Sequence, residues 1–306
     1  MQKPIVSVVL GSYNRYQFLP LTIQTVRQEL CDTAHEIIVV DGGSADGSLE
    51  WLVRQKDIIT IVQHNRGQWQ GKQIERRSWG YFMNLAFKVV QGTYVCMLSD
   101  DCLVVPGAII NGIKFFDAQR ANGRKVGALA FYWRDWSVTD EYHVGYTLGD
   151  KLYVNHGLFL NNALRDVGYI DEKTFFFYNG DGDLCLKMWH QGYEVLPSPE
   201  SFVEHYPHAN PAVRKTNYDS FKQDLNKYLK KWSGIFYDPK KNNCGHIEYK
   251  TFIDQKNTGL LFAEQHSIIV QQHPKLIRPP GITRRMMQSA RWKLQAGMRK
   301  FKTIFR

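Results

Sequence analysis

Short apolar runs alternate with amphipathic stretches through the first hundred residues, and few folds accept that order. Residues 5–10 (Ile-Val-Ser-Val-Val-Leu) form a nearly continuous apolar run closed by Gly11. Leu19, Ile23, Val26 and Leu30 recur every three or four residues, which predicts a helix over 19–30. A second buried strand is predicted over 36–40, closed by a Gly-rich turn at 41–47. A short helix over 49–55, a strand over 58–62, a helix over 79–90 and a strand over 94–98 follow. Strands apolar on both faces and separated by helices imply an α/β fold with a mainly parallel sheet covered on both sides. Such sheets bind ligands beyond the carboxyl ends of their strands. Those ends fall at 11–15, 41–47, 64–71 and 99–101, all rich in polar residues or Gly. The middle, 127–206, predicts shorter strands with many aromatics, and 218–232 predicts a helix. Residues 233–281 are poorly patterned.

The formal net charge of +10, from 39 Lys and Arg against 29 Asp and Glu, is unevenly placed. No acid follows Glu264, and ten of the cations do, so residues 1–264 balance at 29 against 29. A uniformly basic nucleic-acid-binding domain is thereby excluded, and no nucleic-acid module is recognisable. The five cysteines include no CxxC pair, which argues against a disulfide framework and for a reducing, cytoplasmic compartment. The N-terminus has no signal-peptide pattern, and no uncharged apolar run approaches the ~20 residues needed to span a bilayer.

Three acidic segments carry candidate chemistry. Asp41 ends a strand and opens the turn Asp41-Gly42-Gly43-Ser44-Ala45-Asp46-Gly47-Ser48; it suits a nucleoside base or ribose, and equally suits plain turn chemistry. Asp100 and Asp101 follow an apolar strand, where hard oxygen ligands suit Mg²⁺ or Mn²⁺ on a diphosphate, or an N-cap for the segment near Pro106. Asp181 and Asp183 follow four aromatics and open a helix; desolvation there raises a carboxylate towards general-base range, and capping is the simpler role. His205 and His208 lie near Glu204, a weaker metal signal.

In order and spacing these segments resemble the inverting family-2 nucleotide-sugar glycosyltransferases of the GT-A fold, over roughly residues 4–232. Ser12-Tyr13-Asn14-Arg15 is similar to the family's "YNR" turn, and the Asp41 segment to its "VVDDGSTDGS". Asn84 sits ahead of Gly92-Thr93-Tyr94 as in "RN-x-G…A-x-G-x-Y", and Ser99-Asp100-Asp101 falls at the DXD position. Gly180-Asp181-Gly182-Asp183-Leu184 resembles "ED-x-DL", and the stretch ending Lys231-Trp232 resembles the family's "KW" helix. The resemblance implies a metal-dependent inverting transfer from a nucleotide-sugar to a saccharide or lipid-linked acceptor, in cell-surface polysaccharide or glycolipid synthesis. It implies Asp181 as base, Asp183 on the acceptor side, and Asp101 with His205 as ligands of a divalent cation (Mn²⁺ or Mg²⁺). It also implies Asn14, Arg15, Asp41, Asn84 and Asp100 at the nucleotide. Ser99 and Gly180 depart from the pattern, which keeps open a non-catalytic nucleotide-sugar-binding partner. A nucleotidyltransferase would want a Gly-rich basic signature after the first strand, which Gly11–Arg15 lacks.

The long loop 66–80 carries Lys72, Arg76, Arg77, Trp69 and Trp79, and reads as a phosphate contact, a lid or a solvated basic loop. At the end of the chain, Met287, Ala290, Leu294, Met298, Phe301 and Phe305 form one stripe at helical spacing, with most cations opposite. A basic amphipathic helix over 282–306 suits an anionic membrane surface, and otherwise docking on its own catalytic domain. The expected organisation is a catalytic domain over 1–232, an irregular extension over 233–281 and this helix, with the protein peripheral on the cytoplasmic face of a membrane.

Overall fold

The computed structural model describes residues 3–135, 141–205, 216–241 and 245–251. The chain opens with β1 (Val6–Ser12), α1 (Leu19–Glu29), β2 (His35–Asp41), α2 (Ser48–Leu52) and β3 (Ile58–Val62). A small hairpin, β4 (Gln68–Trp69) with β5 (Lys72–Gln73), lies inside the long loop. Then come α3 (Trp79–Phe87), β6 (Tyr94–Ser99), β7 (Cys102–Val104), α4 (Ala108–Ala121), β8 (Val126–Asp135) and β9 (Tyr142–Gly145). The rest comprises β10 (Gly157–Leu160), α5 (Asn161–Asp166), α6 (Gly180–His190), β11 (Glu194–His205), a helix over Phe221–Lys231, and β12 (Ile247–Lys250).

The four strands β6-β1-β2-β3 are parallel. β10 runs antiparallel between β6 and β8, and β9 and β12 extend that edge. β11 lies parallel to β8 and antiparallel to β7. The product is a ten-stranded mixed sheet flanked by helices. The apolar runs of β1, β2 and β6 are continuous because both faces are covered. Val9, Ile38, Val40 and Met97 pack into one cluster, while Val8, Leu10, Ile37, Val39 and Leu98 pack into the other.

Two features differ from the sequence expectation. β8 and β11 have ten and 12 residues, longer than the short strands expected over 127–206. Pro197 and Pro199 break the strand signal of β11, and a register shift between Ser198 and Phe202 accommodates the irregularity. In addition, β12 draws part of the 233–281 stretch into the sheet by pairing with β9. The predicted helix over 282–306 lies outside the described residues. Among the described residues no helix is long and apolar enough to cross a membrane.

This topology positions the site. The β1 register sets Ser12 opposite Asp41 and Gly11 opposite Ser99, so three strands end together. The β7–β11 ladder sets His205 opposite Cys102, and the β8–β11 ladder sets it beside Asp135.

Candidate active site

Two turns beyond β1 and β2 are latched to each other. Asn14 takes φ 53°, a left-handed conformation that Asn tolerates. Its amide N–H donates to Ser44 Oγ at 2.9 Å, and its side-chain Oδ1 accepts from the Ala45 N–H at 2.9 Å. The Arg15 N–H donates to Ser48 Oγ, and the Tyr16 N–H to Asp46 Oδ2. Asp41 is buried and fully engaged in its own turn. Its Oδ1 accepts from the N–H groups of Gly43 and Ser44 at 2.8 and 2.7 Å, and its Oδ2 from Ser44 Oγ at 2.7 Å. Turn chemistry accounts for all three of these carboxylate hydrogen bonds.

Beyond β6, Asp100 and Asp101 are both buried and share one guanidinium. Arg15 Nε lies 3.5 Å from Asp100 Oδ1, and Arg15 Nη2 lies 3.6 Å from Asp101 Oδ2. Arg15 Nη1 and Asp101 Oδ1 are buried with no hydrogen-bond partner. His205 Nε2 stands 3.5 Å from Asp101 Oδ1, while its Nδ1 is held by Asp135 Oδ1 at 2.8 Å. Burial works against charge on His205, but Asp101 and Asp135 outweigh it and push its pKa up to about 9. Burial also opposes ionisation of Asp101, yet His205 and Arg15 hold it below the usual carboxylate range. Asp100 moves the other way: burial raises it, Arg15 opposes the rise and the adjacent Asp101 adds to it.

His156, which the sequence did not single out, lies fully buried beneath this cluster. Its Nε2 is 3.1 Å from both Ser99 Oγ and Cys102 Sγ, and its ring is 5.4 Å from that of His205. Burial, with His205 nearby, pushes its pKa down to about 3, so it is neutral. No pattern around residue 156 marks it.

The start of α6 holds the other two acids. Asp181 Oδ1 accepts from the Gly182 N–H at 2.8 Å, and burial raises its pKa. It forms no ion pair among the described residues. Asp183 is fully buried and tied down: Lys231 Nζ lies 2.8 Å from its Oδ1, and Trp232 Nε1 donates to the same oxygen at 2.9 Å. The Lys-Trp pair at the end of the Phe221–Lys231 helix therefore anchors α6. Gly180 also has a packing reason. A Cβ there would meet the Trp79 ring at 3.1 Å, so Trp79 occupies the space of a side chain.

Asn84 is not gathered with the nucleotide candidates. Its Nδ2 donates to Ile170 O and Glu172 Oε2 at 2.9 and 3.0 Å, and its Oδ1 accepts from the Ile170 N–H at 3.1 Å. It ties α3 to the loop before α6, because that loop has no regular structure to satisfy its own backbone. Asp224 was also missed. It is fully buried in the Phe221–Lys231 helix and accepts from the N–H groups of Phe176, Phe177 and Tyr178, each at 2.9 Å. Its only sequence signal is an acid at helical spacing from the buried Tyr228.

Residues 7–161 match the family described as glycosyl transferase family 2. The chain belongs to this family. The structure of this family member aligns over 99% of its length with 84% of a mannosyltransferase from Pyrobaculum calidifontis in complex with GDP-Man and Mn²⁺, at TM-score 0.53 and 15% identity. It also aligns over 73% of its length with 65% of the S. aureus TarS 1–349 structure, at TM-score 0.50 and 14% identity. Both likenesses concern the fold, which is GT-A. An uncharacterized glycosyltransferase of Bacillus subtilis, YfnE, is 30% identical over 112 residues, 35% of this chain and 26% of that protein. A Sinorhizobium fredii protein, y4gI, is 23% identical over 82% of this chain and 30% of its own length. The chain thus spans less than a third of the curated relatives it matches.

Among the described residues, no three His, Cys, Asp or Glu side chains gather into a metal cluster. Asp101 and His205 form a pair. The pair fits a divalent cation that takes its remaining ligands from a substrate and displaces the His205 proton: Asp101 Oδ1 is buried without a hydrogen bond, His205 Nε2 stands 3.5 Å from it, and Asp135 holds Nδ1.

Proposed function

We propose that this glycosyltransferase moves a sugar from a nucleotide-diphosphate sugar to an acceptor hydroxyl with inversion, and that it serves cell-surface polysaccharide or glycolipid synthesis. The observation that carries the proposal is the convergence at three strand ends of Arg15, Asp100, Asp101 and His205, with unpartnered atoms on Arg15 and Asp101. That arrangement suits a donor bearing a diphosphate.

Asp181 takes the acceptor proton as the hydroxyl oxygen attacks the anomeric carbon. Its burial and lack of a counter-ion favour the proton-accepting role at neutral pH. Asp183 keeps α6, and so Asp181, in place. Arg15 orients the donor through Nη1, with Asp100 beside it towards the ribose. Asn14 and Asp41 frame the nucleotide pocket through the turns they hold. Asn84 supports the acceptor-side loop. Asp101 and His205 would hold Mn²⁺ or Mg²⁺, which supplies positive charge to the leaving diphosphate when bound.

The deciding experiment compares transfer and nucleotide binding in two variants. Asp181→Asn is expected to abolish transfer with nucleotide binding nearly intact, and Asp101→Ala to remove the metal-dependent part of that binding. Near-normal turnover by Asp181→Asn would overturn the base assignment. The location is proposed from charge alone: ten cations and no acids follow Glu264, which suits the cytoplasmic face of an anionic membrane. Flotation with anionic vesicles is expected to fall when residues 282–306 are removed; equal flotation would sink this reading.

A further inference from the structure

The long loop brings two arginines together without a carboxylate between them. Arg66 Nη2 and Arg76 Nη2 both donate to one neutral oxygen, Asn217 Oδ1, each at 3.1 Å. Arg66 Nη1 also donates to Thr216 Oγ1 at 3.0 Å. Two guanidinium groups converging on a single amide oxygen repel each other, and that oxygen carries no charge to offset them. The acid next in sequence, Glu75, is spent on Arg77 at 3.0 Å. Asp219 acts on Arg76 only at longer range, and neither Arg66 nor Arg76 forms an ion pair among the described residues. Residues 206–215, which run into Thr216, contain Arg214 and Lys215 and no acid. Arg76 Nε is buried and has no hydrogen-bond partner. A buried donor left unpaired in a native site is costly and calls for an acceptor that arrives later.

The surroundings locate the pair in the molecule. The Arg66 guanidinium lies over the Tyr13 ring at 5.2 Å, in the turn after β1. The Arg76 guanidinium lies over the Phe176 ring at 4.9 Å, in the aromatic segment that leads to Asp181. The pair therefore bridges the donor-side turn and the acceptor-side loop. These ring contacts hold both guanidinium groups in place; an incoming oxyanion would reach the unpartnered Arg76 Nε and take the place of the neutral oxygens of Asn217 and Thr216. Burial, and for Arg76 also Arg66, lowers both arginines' affinity for protons, as expected of cations awaiting a counter-charge.

We infer that Arg66 and Arg76 form a clamp for a phosphate-type oxyanion, separate from the Arg15–Asp101–His205 cluster. The clamp stands on its own geometry. Only the identity of the phosphate carrier, the donor diphosphate or an acceptor bearing phosphate, rests on the glycosyl-transfer reading.

The test uses the full chain with inorganic pyrophosphate as probe, by calorimetry at low salt without divalent cation. Arg66→Gln and Arg76→Gln are each expected to weaken pyrophosphate binding by about tenfold or more. Arg77→Gln, already paired with Glu75, should change it little. Thermal melts check folding, and either single variant carries the test if the other does not fold. Pyrophosphate binding equal in all chains, or absent from the unmodified one, would overturn the clamp. Repeating the titration with saturating UDP or GDP assigns the source. Competition points to the donor diphosphate, whereas persistent binding sensitive to both arginines points to an acceptor phosphate. The binding measurement is repeated in Asp181→Asn, so failure of the transfer reading leaves the clamp standing, and failure of the clamp leaves transfer untouched.

Discussion

Asp224→Asn is the sharpest perturbation of this molecule because it changes one atom in a site with no spare acceptor. Asp224 Oδ1 serves the Phe176 N–H, and Oδ2 serves both Phe177 and Tyr178. An asparagine can place its oxygen where Oδ2 was and keep two bonds. Its NH₂ then faces the Phe176 N–H, donor against donor. A hydrogen bond to a charged group contributes roughly 1.5–3 kcal/mol, and a stranded buried donor costs about 1–3 kcal/mol. With the remaining two bonds weakened to neutral ones, the expected loss is about 2–4 kcal/mol. For a chain of this size that is a fall of roughly 3–6 °C in Tm. The segment held is the one leading through Asn179, at φ 65°, into Asp181. With Asp181 as the proposed base, turnover should fall more than donor affinity, because the loosened segment leads into Asp181 and not into the turns after β1 and β2. Urea unfolding and steady-state transfer measure the two effects. A urea midpoint and turnover both matching the unmodified chain would refute the idea that Asp224 organises the acceptor side.

Two further outcomes follow from buried charge. Below its unfolded pKa near 6.5 the protonated His205 stabilises the fold fully, and this contribution is lost as pH rises through its folded pKa of about 9. The loss is at most roughly 3 kcal/mol, and His205→Gln should flatten this slope in urea unfolding at pH 6–10; an unchanged slope would refute the assignment. Lys231→Met removes the ion-pair partner of the fully buried Asp183 and should destabilise by about 2–3 kcal/mol, discounted because Lys231 is partly exposed. Adding Asp183→Asn should recover part of that loss in the same denaturation assay, and simple additivity would refute the coupling.

The parallel half of the fold was legible because its physics is local. A strand buried on both faces must be apolar at every position, and a helix covering it must repeat every three or four residues. The centres of residues 6–12 and 35–41 and the helix over 19–29 follow these rules, while the edge strand 58–62 is half-exposed and was legible from its apolar run alone. β11 was less legible because its two prolines remove the strand signal, and its place depends on pairing with β8 and β7, far away in sequence. The same division runs through the site. Asp41, Asp100, Asp101 and Asp181 stand at strand and helix ends, which local pattern can find. Their partners are non-local: Arg15 reaches Asp100 and Asp101 across the β1–β6 pairing, and Lys231 and Trp232 reach Asp183 from the end of the Phe221–Lys231 helix. His156 and Asp224 act only through contacts of that kind, so no local spacing marks either one. Asn84 shows the converse, a motif residue whose amide the fold spends on a neighbouring loop.

Ser99 illustrates how a departure from a motif is decided by charge balance and not by letters. Counted along the sequence, it is an acid missing from the DXD position. In the fold its Oγ faces neutral His156 at 3.1 Å, and among the described residues Arg15 is the guanidinium that serves Asp100 and Asp101. That guanidinium is already shared, and Asp100 is already raised because burial outweighs its half of the pairing. A third carboxylate at position 99 would face neutral His156 beside two acids that already share Arg15 and His205. The serine satisfies the same neighbourhood with a neutral hydrogen bond. It leaves Asp101, paired with Arg15 and His205, as the acid of the motif that is held below the usual carboxylate range.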